Sequence, residues 1–116
     1  MSMRCLIVDD SARFLEAARA LLERGGIQVV GVASSGAEAI TRARELTPDV
    51  ALVDLDLNGE NGLDVAGLLA DVVPAVILVS THAQEDFQEL VAASPARGFL
   101  HKSMLSARAV SDLLGP

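Results

Sequence analysis

Short apolar runs alternate along this chain with segments in which apolar residues recur at the spacing of one helix face. Runs of four to six apolar residues have the length of buried strands, whereas spacings of three and four residues are typical of amphipathic helices. The pattern predicts five strands, over residues 3–8, 28–33, 50–53, 75–79 and 97–100.

Five helices are predicted to follow these strands. The first ends at Gly25-Gly26, and the second begins at a capping box, Ser35 to Glu38, and ends before Pro48. Residues 55–61 are predicted to form a polar loop with Asn58-Gly59 as its turn. The remaining helices are predicted over residues 62–71, over residues 85–93 and around residues 110–114.

Strands that alternate with helices indicate an α/β domain with a parallel sheet covered on both faces. The first, third and fourth strands are nearly all apolar, as central strands are, whereas the second and fifth carry Gln28, Gly31, Arg97 and Gly98. These compositions favour the doubly wound order 2-1-3-4-5, in which the second and fifth strands are the edges. The 116 residues are predicted to form one domain.

Polar side chains follow four of the predicted strands. Asp9-Asp10 follow the first strand, Asp54 the third, Ser80 the fourth and Lys102 the fifth. Lys102 is also the only lysine, since the other eight basic residues are arginine. Because the carboxyl ends of parallel strands meet at one edge of the sheet, we expect these side chains to share one crevice.

This set of residue types suits phosphoryl transfer. Crowded carboxylates repel one another unless a cation lies between them, and Mg²⁺ prefers oxygen ligands and shares them with phosphate. A carboxylate is also a nucleophile that forms aspartyl phosphate. An ammonium and a hydroxyl, here Lys102 and Ser80, would stabilise the phosphoryl oxygens.

Composition and charge limit the other classes of function. A formal net charge of −7 argues against direct nucleic-acid binding, which needs clustered Lys and Arg. The longest apolar run, residues 72–79, contains Pro74 and is too short to span a membrane. No secretory signal is recognised, so we expect a cytoplasmic protein in which the single cysteine, Cys5, is an inert buried thiol.

These residues together resemble the receiver domain of two-component response regulators along nearly the whole chain. No single piece is specific, but their order, spacing and positions at strand ends are. The resemblance implies the CheY-like form of the doubly wound fold over residues 1–116, with no output domain in this chain. The matching pieces are Asp9-Asp10, Asp54, Gly62 eight residues later, Ser80, and the run from Gly98 to Lys102.

The resemblance implies a signalling switch that catalyses only its own phosphorylation and dephosphorylation and is not a turnover enzyme. Asp54 would accept the phosphoryl group from a phosphohistidine of a sensor histidine kinase or a phosphotransfer protein. Mg²⁺ would be held by Asp9, Asp10, Asp54 and the backbone carbonyl of Asp56. Lys102 would pair with the phosphoryl oxygens.

The resemblance also implies how the switch would work. Ser80 would turn towards the phosphoryl group, and Phe99 would change rotamer with it. The face formed by the fourth helix, fifth strand and fifth helix would then bind a downstream target or a missing output domain, or a second copy of the phosphorylated chain. Asp56 and His82 stand at positions that tune hydrolysis in this family.

Three positions depart from the family pattern. Asn58 stands where a proline usually stiffens the loop after the phosphoacceptor, and Thr81 stands where a smaller residue is usual, so we expect narrower phosphoryl access. Ser103 stands where proline usually follows the lysine with a cis bond. Without proline a cis bond costs about 2.5–4 kcal/mol, so we expect a trans Lys102–Ser103 bond or a strained site.

Several other interpretations stay open. Phe99 could be an ordinary core residue, and His82 and His101 could be surface residues. A phosphorylation-independent interaction module would account for the three departures. A haloacid-dehalogenase-type phosphatase would use Asp54-Leu55-Asp56, but that motif normally follows the first strand, and this one follows the third.

Overall fold

The five strands of the main sheet, numbered β1 to β5, run parallel in the order β2-β1-β3-β4-β5. In this computed structural model, residues 3–82, 85 and 87–115 are described. The predicted order is therefore confirmed, and each strand lies within one residue of its predicted bounds. The strands are Arg4–Val8, Gln28–Ala33, Val50–Asp54, Ala75–Ser80 and Gly98–His101.

Helices α1 to α5 cover both faces of this sheet. Serine side chains begin three of them: Ser11, Ser35 and Ser106 each accept a hydrogen bond from the backbone N–H three residues on. Within the described part of the chain, no helix is long and apolar enough to cross a membrane. The helices are Ala12–Arg24, Gly36–Leu46, Gly62–Leu69, Gln88–Ala93 and Ala107–Leu114.

Two helices are shorter than predicted. α3 ends at Leu69, two residues before the predicted end. α4 begins at Gln88 rather than at residue 85, and Phe87 at its N-cap makes no side-chain capping hydrogen bond. Residue 86 lies outside the described residues, so that part of the prediction stays a prediction.

The core consists of two apolar layers, one on each face of the sheet. Along β1, Leu6 and Val8 pack beneath α2, α3 and α4, whereas Cys5 and Ile7 pack beneath α1 and α5. This alternation is the period of two that a strand imposes on its side chains. Burial raises the pKa of the Cys5 thiol to about 12, so the thiol stays protonated, as expected for an inert core cysteine.

Residues 55–61 are more ordered than the predicted polar loop. Asp56–Leu57 and Glu60–Asn61 pair as short antiparallel strands, and the predicted turn, Asn58-Gly59, joins them. Both turn residues have positive φ, 47° and 93°, as a tight hairpin turn requires. Leu57 is 1% exposed and packs in the core. The hairpin therefore supplies stiffness that the missing proline would have supplied.

Gly62 begins α3 where the chain passes closely behind Asp54. A Cβ at this position would overlap the Asp54 carbonyl oxygen and lie 2.6 Å from Leu55 Cα. Both obstacles are backbone atoms, so a side chain here would displace the segment that carries Asp54.

We expect Gly62→Ala to lower the free energy of unfolding by about 2 kcal/mol or more, because it overpacks against backbone. Gly67→Ala, on the same helix, meets nothing within 4 Å and should raise it by about 0.5–1 kcal/mol through helix propensity. Urea denaturation of both variants measures the difference. Equal stability of the two variants would contradict the predicted overlap.

Candidate functional site

Asp9, Asp54 and Ser80 are the three buried polar side chains in the described part of the chain, and all lie at the carboxyl edge of the sheet. Asp9 follows β1, Asp54 ends β3 and Ser80 ends β4, with Lys102 directly after β5. These four strands are neighbours in the sheet, so their ends converge. The crevice expected from the sequence is therefore present.

The acidic residues lie close enough to share one cation. One oxygen each of Asp9, Asp10 and Asp54 lies within 4.8 Å of the others. Asp9 and Asp54 are buried, whereas Asp10 is exposed at the mouth of the cluster. A set made only of carboxylate oxygens suits a hard divalent cation such as Mg²⁺ and does not suit zinc, which favours nitrogen and sulfur.

Lys102 lies between two of these acids. Its Nζ lies 2.6 Å from Asp9 Oδ2 and 3.3 Å from Asp54 Oδ2, and 4.2 Å from the centre of the Phe14 ring. The contact with Asp54 has hydrogen-bond geometry. Asp9 Oδ2 is buried without a partner of hydrogen-bond geometry among the described residues, so its close contact with Lys102 is an ion pair of poor direction. Asp9 Oδ2 therefore has a lone pair available to bind a cation.

Burial and neighbouring charges act in opposite directions on the pKa values here. Burial is the largest influence on the pKa of Asp54 and raises it, and Asp9 raises it further. The Asp56 N–H and Lys102 act to lower the pKa of Asp54 but do not cancel the rise. For Lys102, burial lowers the pKa, but contacts with Asp9 and Asp54 outweigh burial and leave it raised. Lys102 is therefore charged.

The same local contact fixes all four strand ends. In each, a side chain accepts a hydrogen bond from the backbone N–H two residues later, as in Asx and related turns. For Asp9 and Asp54 the contact uses Oδ1 and leaves Oδ2 facing Lys102. The pairs are Asp9 with Ser11 N (2.8 Å), Asp54 with Asp56 N (3.2 Å), Ser80 with His82 N (3.0 Å) and His101 with Ser103 N (3.1 Å).

Ser80 is turned towards its own loop. Besides the His82 N–H, its Oγ lies 3.4 Å from His82 Nδ1, and the His82 ring packs edge-on against Phe87 with centroids 5.8 Å apart. His82 is exposed, as the surface interpretation predicted. Through these two contacts it also links Ser80 to the start of α4. Phe99 is 6% exposed and packs in the core, which agrees with the core interpretation of that residue.

His101 is the residue that the sequence interpretation missed. A surface position was one open interpretation, and His101 is half-buried: its Nε2 lies 2.7 Å from the Thr81 carbonyl oxygen and its Nδ1 accepts from Ser103. No cis bond occurs in the described residues, so the Lys102–Ser103 bond is trans. One feature of the sequence is consistent with this contact. Position 103 is serine rather than proline, so it has the backbone N–H that donates to His101.

Glu60 is a second residue that the sequence did not indicate. Its Oε1 accepts a hydrogen bond of 2.9 Å from the Gly36 N–H at the beginning of α2. A carboxylate is favoured there by the unpaired N–H groups and the dipole of a helix N-terminus. The contact joins the hairpin after Asp54 to α2, and so fixes the segment that contains Asp56.

Comparison with known proteins agrees with this geometry. The family model of the response regulator receiver domain matches residues 5–113. Chemotaxis protein CheY of Thermotoga maritima is 29% identical over 115 residues, covering 97% of this chain and 96% of that protein. The structure of the signal receiver domain of NarL from Mycobacterium tuberculosis has a TM-score of 0.86 and 31% identity, covering 99% of this chain and 98% of that one.

Some relatives are much longer. A protein-glutamate methylesterase/protein-glutamine glutaminase of Myxococcus xanthus is 41% identical over 86 residues, which are 72% of this chain and 25% of that protein. The chain thus spans about a quarter of the length of the methylesterase relatives it matches. The similarity to them concerns this domain alone.

The raised pKa of Asp54 predicts a dependence of stability on pH. An acid whose pKa is raised by folding stabilises the fold while it is protonated, and this contribution is lost as pH rises through the folded-state pKa. We therefore expect Asp54→Asn, without divalent cations, to be more stable than the native chain at pH 7. The gain should vanish at about pH 3, below the ordinary aspartate pKa of 3.8, where Asp54 is protonated in both the folded and the unfolded chain.

Urea denaturation at the two pH values tests this, with Asp71→Asn as the control. Asp71 is exposed and precedes β4, away from the carboxyl edge, so its replacement should change stability by less than about 0.5 kcal/mol. A native chain more stable than Asp54→Asn at pH 7 would mean that the Lys102 contact outweighs burial.

Proposed function

This chain belongs to the response regulator receiver domain family, and we propose that it is a switch in which Asp54 accepts a phosphoryl group. The observation that carries the proposal is the position of Asp54: buried, 3.3 Å from Lys102, and within 4.8 Å of the oxygens of Asp9 and Asp10. Phosphoryl transfer needs mainly a positioned nucleophile and compensation of charge, and this crevice offers both.

The reaction that we propose is an in-line displacement at phosphorus. A carboxylate oxygen of Asp54 attacks, the new P–O bond forms, and the bond from phosphorus to the donor breaks. With a phosphohistidine of a histidine kinase or phosphotransfer protein, the electron pair stays on the imidazole nitrogen, which takes up a proton. The switch is reset by hydrolysis. Water attacks phosphorus, the bond from phosphorus to Asp54 breaks, inorganic phosphate leaves and the Asp54 carboxylate is restored.

The site suits Mg²⁺ as the cation for this reaction. Asp9, Asp10 and Asp54 would hold it with the backbone carbonyl of Asp56, and the spare capacity of the buried Asp9 Oδ2 supports that assignment. When bound, Mg²⁺ neutralises negative charge shared between the carboxylates and the phosphoryl oxygens.

Two side chains of the crevice would stabilise the phosphoryl oxygens. The Lys102 ammonium is charged and already lies beside Asp54, so it needs little movement to pair with them. The Ser80 hydroxyl would leave the His82 N–H and turn to the phosphoryl group. Phe99 would follow by a change of rotamer, and Asp56 and His82 would tune the lifetime of the phosphoryl group.

We further propose that the surface of α4, β5 and α5 transmits the change. Leu90, on α4, is 55% exposed, and Met104, before α5, is 67% exposed, so apolar surface is available to a partner. The partner would be a downstream target, an output domain of a longer protein, or a second copy of this chain. The kinase, the chain and its target would meet in the cytoplasm.

We expect the native chain with Mg²⁺ and acetyl phosphate to gain one phosphoryl group, seen by intact mass, and Asp54→Asn to gain none. Asp71→Asn, with the same loss of charge on the exposed surface, should be modified like the native chain. Absence of modification in the native chain, together with no response to beryllofluoride, would favour the phosphorylation-independent interaction module. Modification of Asp54→Asn would mean that another residue is the nucleophile.

We also expect Mg²⁺ to raise the melting temperature of the native chain in a saturable manner, because a cation that binds only the folded state stabilises it by mass action. Asp10→Asn, which removes an exposed ligand without burying an unpaired group, should move the midpoint to higher Mg²⁺ concentration. Thermal denaturation over a Mg²⁺ series measures both, with Asp71→Asn as the control. An unchanged midpoint in Asp10→Asn would remove that residue from the ligand set.

A further inference from the structure

His101 bridges two loops that meet at the candidate site. Its Nε2 lies 2.7 Å from the carbonyl oxygen of Thr81, in the loop after β4. Its Nδ1 accepts from the Ser103 N–H at 3.1 Å, and Ser103 Oγ lies 2.7 Å from the same nitrogen. His101 and Ser80 are also direct partners in the β4–β5 pairing, so the ring extends the sheet contact into the loops.

The two contacts fix which nitrogen carries the proton. Because Nδ1 accepts from a backbone N–H, it must be unprotonated, and the proton lies on Nε2. Nε2 can then donate to the Thr81 carbonyl oxygen. A neutral ring of this one tautomer satisfies both loops at once.

The contact with Ser103 lies at the turn that carries Lys102. Lys102 begins a single 3₁₀ turn, Lys102–Met104, directly after β5, and His101 caps that turn through the Ser103 N–H. The chain thus changes direction at Lys102 with a trans bond and without proline. At β5, His101 takes the place that Asp9, Asp54 and Ser80 take at the other strand ends, since each accepts from the N–H two residues on.

We propose that His101 is a positioning residue, which holds Lys102 against Asp54 by joining the turn after β5 to the loop after β4. It touches no phosphoryl group itself. This role rests on the proposed function for its effect on rate, but the tautomer of His101 and the position of Lys102 exist without any phosphoryl donor. Displacement of a positioned group by about 1 Å is enough to slow a reaction by orders of magnitude.

Three variants separate the two contacts. His101→Leu keeps bulk and removes both. His101→Asn keeps an acceptor at the same number of bonds as Nδ1, and so retains the Ser103 contact. His101→Gln places an N–H at the same number of bonds as Nε2, and so retains the Thr81 contact.

We expect His101→Leu to be phosphorylated by acetyl phosphate about tenfold more slowly than the native chain at saturating Mg²⁺. His101→Asn should recover most of the rate, because the Ser103 contact directs Lys102, and His101→Gln should recover less. ¹⁵N spectra of the native chain should show unprotonated Nδ1 and protonated Nε2, and the Lys102 Nζ signal should move in His101→Leu. Melting temperatures check that each variant is folded.

The outcomes distinguish the proposal from the function on which it rests. If the native chain is phosphorylated and His101→Leu is phosphorylated at the same rate, the positioning role is overturned. A protonated Nδ1 on His101 of the native chain would also overturn it. A native chain that takes no phosphoryl group would overturn the proposed function, and the Lys102 Nζ signal in His101→Leu would still decide whether His101 positions Lys102. An unmoved signal there would overturn the role.

Discussion

The carboxyl edge of this sheet holds more negative charge than positive charge, and the rest of the site depends on that imbalance. Three carboxylates approach within 4.8 Å of one another, and the Lys102 ammonium contacts two of them, Asp9 and Asp54. Asp9 is fully buried, so the loss of Lys102 would leave an unpaired buried charge, which costs several kcal/mol. Hydrophobic packing beneath the sheet must offset this cost. A divalent cation relieves it, which explains why such an edge favours cation and phosphoryl chemistry.

Short-range contacts, rather than prolines, hold the loops of this site. Four strand ends are fixed by a side chain that accepts from the N–H two residues on. The Asn58-Gly59 hairpin and the Glu60 contact with α2 do the same for the loop after Asp54. A loop held by its own side chains keeps its geometry while each contact can open singly. This would suit the proposed switch, in which the site is rigid for phosphoryl transfer and its loops move afterwards.

The fold could be predicted because its signals are local and repeated. Apolar runs predicted every strand of the main sheet to within one residue, and composition separated central strands from edges, since central strands are buried on both faces. The converging carboxylates and Lys102 followed from topology alone. His101 and Glu60 could not be found in this way, because each binds a backbone group 20 or more residues away, Thr81 and Gly36. Nearly every residue has the same backbone N–H and carbonyl groups, so the sequence does not show which of them a side chain will contact. Leu57 was missed because two leucines, Leu55 and Leu57, are too short a pattern to indicate a buried strand in an otherwise polar segment.

The contacts of Ser80 and His101 suggest how the proposed change at Asp54 would reach α4. If Ser80 changes rotamer and turns its hydroxyl to a phosphoryl group on Asp54, as proposed, the His82 N–H loses its acceptor. An N–H without a partner must find another, and His82 packs against Phe87 at the start of α4. We therefore expect the proposed change to pass from Ser80 through His82 to Phe87, directly before α4. Thr81 is held by His101, so we expect its backbone to stay in place. The same imidazole that would position Lys102 for chemistry would thus also set where the conformational change begins.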